Sequence, residues 1–379
     1  MIKINLNRRE FYQALALASN ALPNKSTLPV LESFLIEGNT DLKLTVTATD
    51  QQFYIKSSCN FTYNSDGYEK PFAFLVEGKK LVSLLKLVTS ENITINVDDR
   101  LISIETESGK YIFPTMPSDE YIATEYFEGD NLSLCTLTAD DINKIIKRTA
   151  FALSHDEFKP AMGGYCFDFS TNKLRVVTTD SFKLSYTTFE TDFSGENSQI
   201  ILPGKFIDMI HKFGIPGKLI AVSQFDKIQF VKFESFDVTC TTRIIQNKYV
   251  PYESVIPFDI PNRFVINKNE LLRSIDRVSK FSDTTRRAIQ LNIMEGYIDV
   301  FGNDEQDGSE ATERLNAKSG ITASAKFNID NLRECLLSAL PFESDEVTFL
   351  WNSAEKPFLI DDCSSGHEDD LILIMPMKG

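Results

Sequence analysis

The sequence predicts an α+β protein built as three tandem copies of one unit, each with two helices and about eight strands. Three observations carry this. Four elements recur in the same order at nearly constant spacing. The helical stretches place apolar residues at i, i+4 and i+7. The stretches between them alternate apolar and polar residues about central turn residues, as hairpins do.

Each copy opens with a strand and helix: "INLNRREFYQALALAS", "CTLTADDINKIIKRTAFALS" and "FVINKNELLRSIDRVSKFS". Leu6, Leu137 and Ile266 occupy equivalent places, 131 and 129 residues apart. A polar residue follows in each (Asn7, Thr138, Asn267) and suits a helix N-cap, where a side-chain oxygen accepts a free backbone N–H. A hairpin comes next, in "SFLIEGNTDLKLTVTATD", "GYCFDFSTNKLRVVTTD" and "AIQLNIMEGYIDVFGND", ending at Asp50, Asp180 and Asp304. These aspartates sit at matching places in a repeat, so a turn or cap role is expected of them rather than carboxylate chemistry. A second strand and helix begin near Val76, Leu202 and Phe327, and further strands close each copy. The expected domains are 1–125, 130–256 and 262–379, joined around "SDEYIATEYFEGDN" and "PFDIPNRF".

At 379 residues the chain is too long for one ordinary core. No apolar run approaches 18 residues, so no membrane span is expected. The start, "MIKINLNRRE", lacks the apolar stretch of a secretory signal. Six cysteines are scattered singly with no CxxC, which fits a reducing cytoplasm. The expected location is therefore cytoplasmic.

The net charge of −15 argues globally against nucleic acid, yet it is unevenly placed. Six helical segments, 8–21, 78–87, 139–153, 205–213, 268–281 and 329–340, carry 15 basic and 8 acidic residues. Their surplus of +7 leaves −22 on the rest of the chain. In the fifth helix Arg273, Arg277 and Lys280 repeat the spacing of the apolar Leu271, Ile275 and Val278, about 200° around the axis. Lys144, Lys147 and Arg148 do the same in the third, and Lys79 and Lys86 in the second. Exposed helix faces favour Lys and Arg in any case. The other reading is a set of helices that meets a polyanion, on a body that repels it.

Catalytic signatures are missing. His155, His211 and His367 are far apart, and none has a cysteine at metal-ligand spacing. There is no P-loop or GxSxG, and "GGY" at Gly163 lacks a GxGxxG context. No cofactor and no enzymatic activity are expected. A repeat-built binding module, or an enzyme with an unrecognised site, stays open as the alternative.

Three tandem copies, "LPVLESFLIEG", "VVTTDSFKLS" and a terminal "MPM" followed by a basic residue together resemble the bacterial DNA polymerase III beta subunit, the sliding clamp, over the whole chain. The resemblance implies a clamp fold in each copy and a head-to-tail homodimer closing a six-domain ring. Duplex DNA would be encircled without sequence preference, because contact with phosphate alone reads no bases. The polymerase III alpha subunit, the clamp loader, other polymerases and repair proteins would dock through short linear motifs. No membrane is involved.

Carried onto this sequence, the docking groove comprises Met162, Thr179, Phe182, Lys183, Leu184, Val250, Val255, Leu373, Met375, Pro376, Met377 and Lys378. Two departures fall in it. Phe182 and Lys183 stand where the family has His-Arg, and "YVPYESVIP" puts Val250 at a proline position and Ser254 at an arginine position. Physically, Pro376 lacks the N–H that a strand ladder needs. Met375 and Met377 would then offer flexible, polarizable side chains to varied partners. The DNA-facing candidates are Lys25, Lys79, Lys144, Lys147, Arg148, Lys159, Arg273, Arg277, Arg286 and Arg287. Tyr111, Phe113 and Phe281 match the family's apolar dimer-interface positions.

Overall fold

The computed structural model describes every residue except 1, 65–69, 99, 122–127, 171–172, 192, 194–198, 226, 258–259, 339–344, 363–368 and 379. Parts of both expected linkers, with Cys363 and His367, lie outside the described residues.

The first copy runs β1 (Ile2–Asn7), α1 (Arg8–Ala18), β2 (Ser33–Gly38), β3 (Lys43–Thr49), β4 (Phe53–Tyr63), β5 (Phe72–Glu77), α2 (Gly78–Leu87), β6 (Asn92–Val97), β7 (Leu101–Glu105) and β8 (Lys110–Pro114). The second runs β9 (Asp130–Leu137), α3 (Ala139–Thr149), β10 (Gly164–Asp168), β11 (Lys173–Thr179), β12 (Lys183–Glu190), β13 (Gln199–Pro203), α4 (Gly204–Phe213), β14 (Gly217–Gln224), β15 (Lys227–Glu234) and β16 (Val238–Arg243). The third runs β17 (Asn262–Asn267), α5 (Lys268–Val278), β18 (Ala288–Met294), β19 (Tyr297–Asp304), β20 (Ser309–Ser319), β21 (Ala323–Asn328), α6 (Ile329–Ser338), β22 (Glu346–Trp351), β23 (Phe358–Asp362) and β24 (Asp370–Ile374). Each copy thus has the same strand and helix order, with two helices.

The helices begin where the polar residues predicted. Asn7 Oδ1 accepts the backbone N–H of Arg9 and Glu10, and Asn267 Oδ1 accepts that of Glu270. Their apolar faces are buried: Phe11, Ala14, Leu15 and Ala18 in α1, and Leu271, Ile275 and Val278 in α5.

The strands do not respect the copies. One compact unit comprises residues 1–139 and 205–244, the other 140–204 and 245–379. The first holds a 12-stranded sheet in which β4 of copy one pairs with β16 of copy two, Ile55 facing Cys240. The second holds another 12-stranded sheet, ordered β13-β10-β11-β12-β24-β23-β22-β17-β20-β19-β18-β21. There β12 of copy two pairs with β24 of copy three, Leu184 facing Leu373. In both units an antiparallel ladder, and not a loose linker, joins successive copies.

A candidate partner-binding groove and a set of basic helix residues

The residues expected to form the groove lie within the second unit, around the β12–β24 ladder. Successive side chains on a strand point to opposite faces. Ile372 and Ile374 enter the core of copy three, which also holds Phe264, Phe349, Trp351 and Phe358. Leu371 and Leu373 point the other way, into a second apolar cluster with Leu184, Tyr186, Val177, Tyr249 and Tyr252. Both faces of β24 are therefore buried, and that is why the chain carries its most apolar stretch so near its end. Met375 continues the outer row and packs on the second cluster, beside Val250 and Ala161. Its N–H still donates to the Phe182 carbonyl at 2.8 Å. After Pro376 the tail changes neighbour, and the Met377 N–H donates to the Lys326 carbonyl in β21 at 2.8 Å. Met375, Pro376 and Met377 are half-buried and Lys378 is exposed.

The turn from Thr179 to Lys183 forms one edge. Asp180 Oδ1 accepts the N–H of Phe182 at 2.8 Å and of Lys183 at 2.7 Å. The Thr179 hydroxyl donates to the Lys183 carbonyl at 2.7 Å. Ser181, between them, sits at φ +83°. Copy one repeats this geometry: Asp50 Oδ1 takes the N–H of Gln52 and Phe53, Thr49 donates to the Phe53 carbonyl, and Gln51 sits at φ +73°. The recurrent "TD" is thus a turn device. In copy three Asp304 Oδ1 accepts only from Gln306, in a differently shaped hairpin end. Phe182, at the outer corner, is 59% exposed.

Lys183 requires a correction to the groove set. Leu184 faces the groove, so Lys183 must face away from it. Its side chain is 6% exposed and its ammonium lies 3.3 Å from Asp180, with Glu334 of α6 as a second carboxylate partner. Burial pulls its pKa down, but the hydrogen bond to Glu334 and the charge of Asp180 outweigh this and raise it. Thr179 is likewise buried inside the turn.

The opposite wall is the segment from Tyr249 to Val255, whose last four residues form a single 3₁₀ turn. Tyr249 and Tyr252 are buried, Val250 is half-buried, and Val255 is 45% exposed. Ala161 and Met162 close one end, in the 3₁₀ turn Pro160–Gly163. Gly164, which follows, is needed for close packing, since a Cβ there would lie 2.6 Å from Ile201 Cγ2. The "GGY" motif is thereby structural. Asp168, Tyr249 and Tyr252 shape this site and were absent from the sequence-derived set. Their signal is a buried aspartate on a strand and two tyrosines three residues apart in an irregular segment, which is too weak to read without coordinates.

The basic candidates divide. Lys25, Lys79, Lys147, Arg273 and Arg286 are exposed. Lys79 donates to the Asn24 carbonyl, so it stands beside the loop that carries Lys25. Four others are engaged with carboxylates. Lys144 and Arg148, one helical turn apart, both grip Asp370 at 3.1 and 3.7 Å. Arg277 forms a bidentate pair with Glu313 at 2.6 Å. Arg287 does the same with Asp330. Lys159 is half-buried and donates to the Ser181 hydroxyl at 3.2 Å, beside the groove turn.

Of the interface candidates, Phe281 is 44% exposed and Tyr111 half-buried, while Phe113 is buried beneath the Lys80 ammonium. Alternation turns Ile112 outward instead, at 61% exposure, on the edge strand β8.

No group of His, Cys, Asp and Glu able to hold a metal occurs among the described residues. The five described cysteines are buried and in no disulfide, and burial pushes the Cys59 thiol up to about 12, which leaves it a poor nucleophile.

Comparison with known proteins agrees over the full length. Three domain models of the DNA polymerase III beta subunit match in order: the N-terminal domain at residues 2–125, the central domain at 136–251 and the C-terminal domain at 253–378. The Beta sliding clamp of Pseudomonas putida is 21% identical, with 98% of this chain and 99% of that protein covered. The Beta sliding clamp of Streptococcus pneumoniae is 23% identical, with both chains fully covered. A DnaN sliding clamp from Pseudomonas aeruginosa, solved with griselimycin bound, superposes with a TM-score of 0.87 at 20% identity over both whole chains. With its N-terminal, central and C-terminal domains all present and in sequence, this chain belongs to the DNA polymerase III beta subunit family.

Proposed function

We propose that this chain is a DNA sliding clamp, a non-catalytic processivity factor that encircles duplex DNA as a head-to-tail homodimer and tethers the replicative polymerase. The observation that carries this is the run of three clamp domains filling the chain. Two such chains supply six domains, enough for a closed ring. We take the domain limits as 1–125, 130–256 and 262–379. The proposed location is the cytoplasm. No helix among the described residues is long and apolar enough to cross a membrane.

The end of copy one would meet the start of copy three of a second chain, because a closing head-to-tail contact uses two different faces. The exposed edge strand β8 and the exposed Phe281 support this. DNA contact would fall to the exposed Lys25, Lys79, Lys147, Arg273 and Arg286, with Arg277 and Arg287 exposed as well but paired with Glu313 and Asp330. Partners would insert apolar side chains between Phe182, Leu184, Val250, Val255 and Met375, where a floor of buried leucines meets an exposed rim. The replicative polymerase's alpha subunit, the clamp loader and repair proteins are the expected occupants.

The test is topological. A clamp loaded on nicked circular DNA stays bound through gel filtration and leaves when one cut linearises the circle. A protein that dissociates equally from circle and linear DNA is not a clamp.

A further inference from the structure

We infer that a buried hydrogen bond between Tyr252 and Asp168 is a positioning device for the groove, and this rests on the groove reading above. The segment from Gln246 to Pro257 belongs to no strand, yet it supplies one whole wall. Side chains hold it in place instead. Tyr249 reaches the Val177 carbonyl with its hydroxyl at 3.4 Å. Tyr252 donates its hydroxyl to Asp168 Oδ2 at 2.8 Å, and Arg175 donates to the same hydroxyl at 3.3 Å. Asp168 is 1% exposed, so leaving this carboxylate short of donors is costly. It also takes the Gln199 amide and the Ser170 N–H, each at 2.8 Å. Arg175 lies over the Tyr186 ring at 4.5 Å and extends to Glu253 at 3.2 Å.

Residues 252 and 253 are thus both fixed from below. Their successors Ser254 and Val255 are exposed and make no such bond to the sheet among the described residues. The ring of Tyr252 belongs to the apolar floor while its hydroxyl passes through to the charge behind. One residue therefore sets both the depth of the groove and the height of Val255 above it. A peptide meeting a preset wall does not lose affinity to ordering it.

Tyr252→Phe removes one oxygen and opens no cavity. With the full-length protein and a fluorescein-labelled peptide from the polymerase tail, polarisation should show about tenfold weaker binding for Tyr252→Phe, the equivalent of one charge-assisted hydrogen bond. Asp168→Asn should weaken it at least as much, since the same carboxylate also holds Gln199, and the double variant no further than Asp168→Asn alone, because the bond to Tyr252 is already lost. Amide exchange should quicken at Ser254 and Ile256 but not in β11 or β12, whereas a purely structural role would loosen the sheet as well. Binding by Tyr252→Phe within twofold of the unaltered protein, or additive losses in the double variant, overturns the proposal. Absence of binding by the unaltered protein overturns the groove reading itself.

Discussion

Replacing Asp180 separates two jobs that one carboxylate performs. Oδ1 accepts the N–H of Phe182 and of Lys183, at 2.8 and 2.7 Å, while Oδ2 lies 3.3 Å from the Lys183 ammonium. Asp180→Asn keeps an acceptor oxygen for the turn and removes the charge. Glu334 remains as a partner for Lys183 but is 46% exposed, so the charge loss should cost about 1 kcal/mol, well under the figure for a fully buried pair. Asp180→Ala also strands the part-buried Lys183 N–H, adding roughly 1 kcal/mol. The expected order in urea unfolding is therefore unaltered protein, then Asn, then Ala, with midpoints falling at unchanged slope. The pH dependence has a definite sign. Lys183 is held charged more firmly in the fold than in the open chain, so its contribution is complete below the ordinary lysine value of 10.5 and fades as pH rises through the higher folded value. The gap between Asp and Asn should be constant below the ordinary lysine value and narrow as the pH rises past it. Equal losses for Asn and Ala would show that the turn bonds do not matter. A gap that widens in alkali would refute the account of Lys183.

Removing residues 375–379 should abolish polymerase-peptide binding in a polarisation titration and leave the dimer mass and retention on circular DNA unchanged, since the ladder of β24 ends at Ile374. Lys147→Gln with Arg273→Gln and Arg286→Gln should flatten the salt dependence of DNA binding, by nearly one unit of slope for each phosphate no longer neutralised. Arg148→Gln should instead lower the unfolding free energy by about 1 kcal/mol and leave that slope alone, because its charge already serves Asp370. Ile112→Glu on the edge strand, or Phe281→Glu, should give a light-scattering mass of one chain at micromolar concentration.

The sequence discloses the periodic features best. Asn7 and Asn267 predicted their caps because a capping side chain acts within three residues. The "TD" turns were legible because the Asp180 side chain bonds backbone N–H groups only two and three positions on. Direction on a strand was available as well. Once Leu184 is assigned to the groove, period two sends Lys183 the other way, and the same rule turns Ile112 outward between Tyr111 and Phe113. The sequence-derived set followed family positions at those sites, and alternation corrects it. Partners distant in the chain were not legible. Nothing near Lys144 or Arg148 announces that Asp370, more than two hundred residues on, will neutralise both. Nor does a strand's own pattern name its neighbour, so the pairing of β4 with β16 and of β12 with β24 could come only from three dimensions.

The position of β24 has a consequence for how the molecule is made. It is the last strand among the described residues, yet it lies inside its sheet, between β12 and β23. Ribosomal synthesis proceeds from the N-terminus, so β12 is finished long before its neighbour exists. Throughout that interval an apolar edge with free N–H and C=O groups stands open to any passing strand. A chain whose synthesis is interrupted before β24 would therefore lack the middle of a sheet. Such interrupted chains should be the aggregating and chaperone-bound fraction when the protein is overproduced.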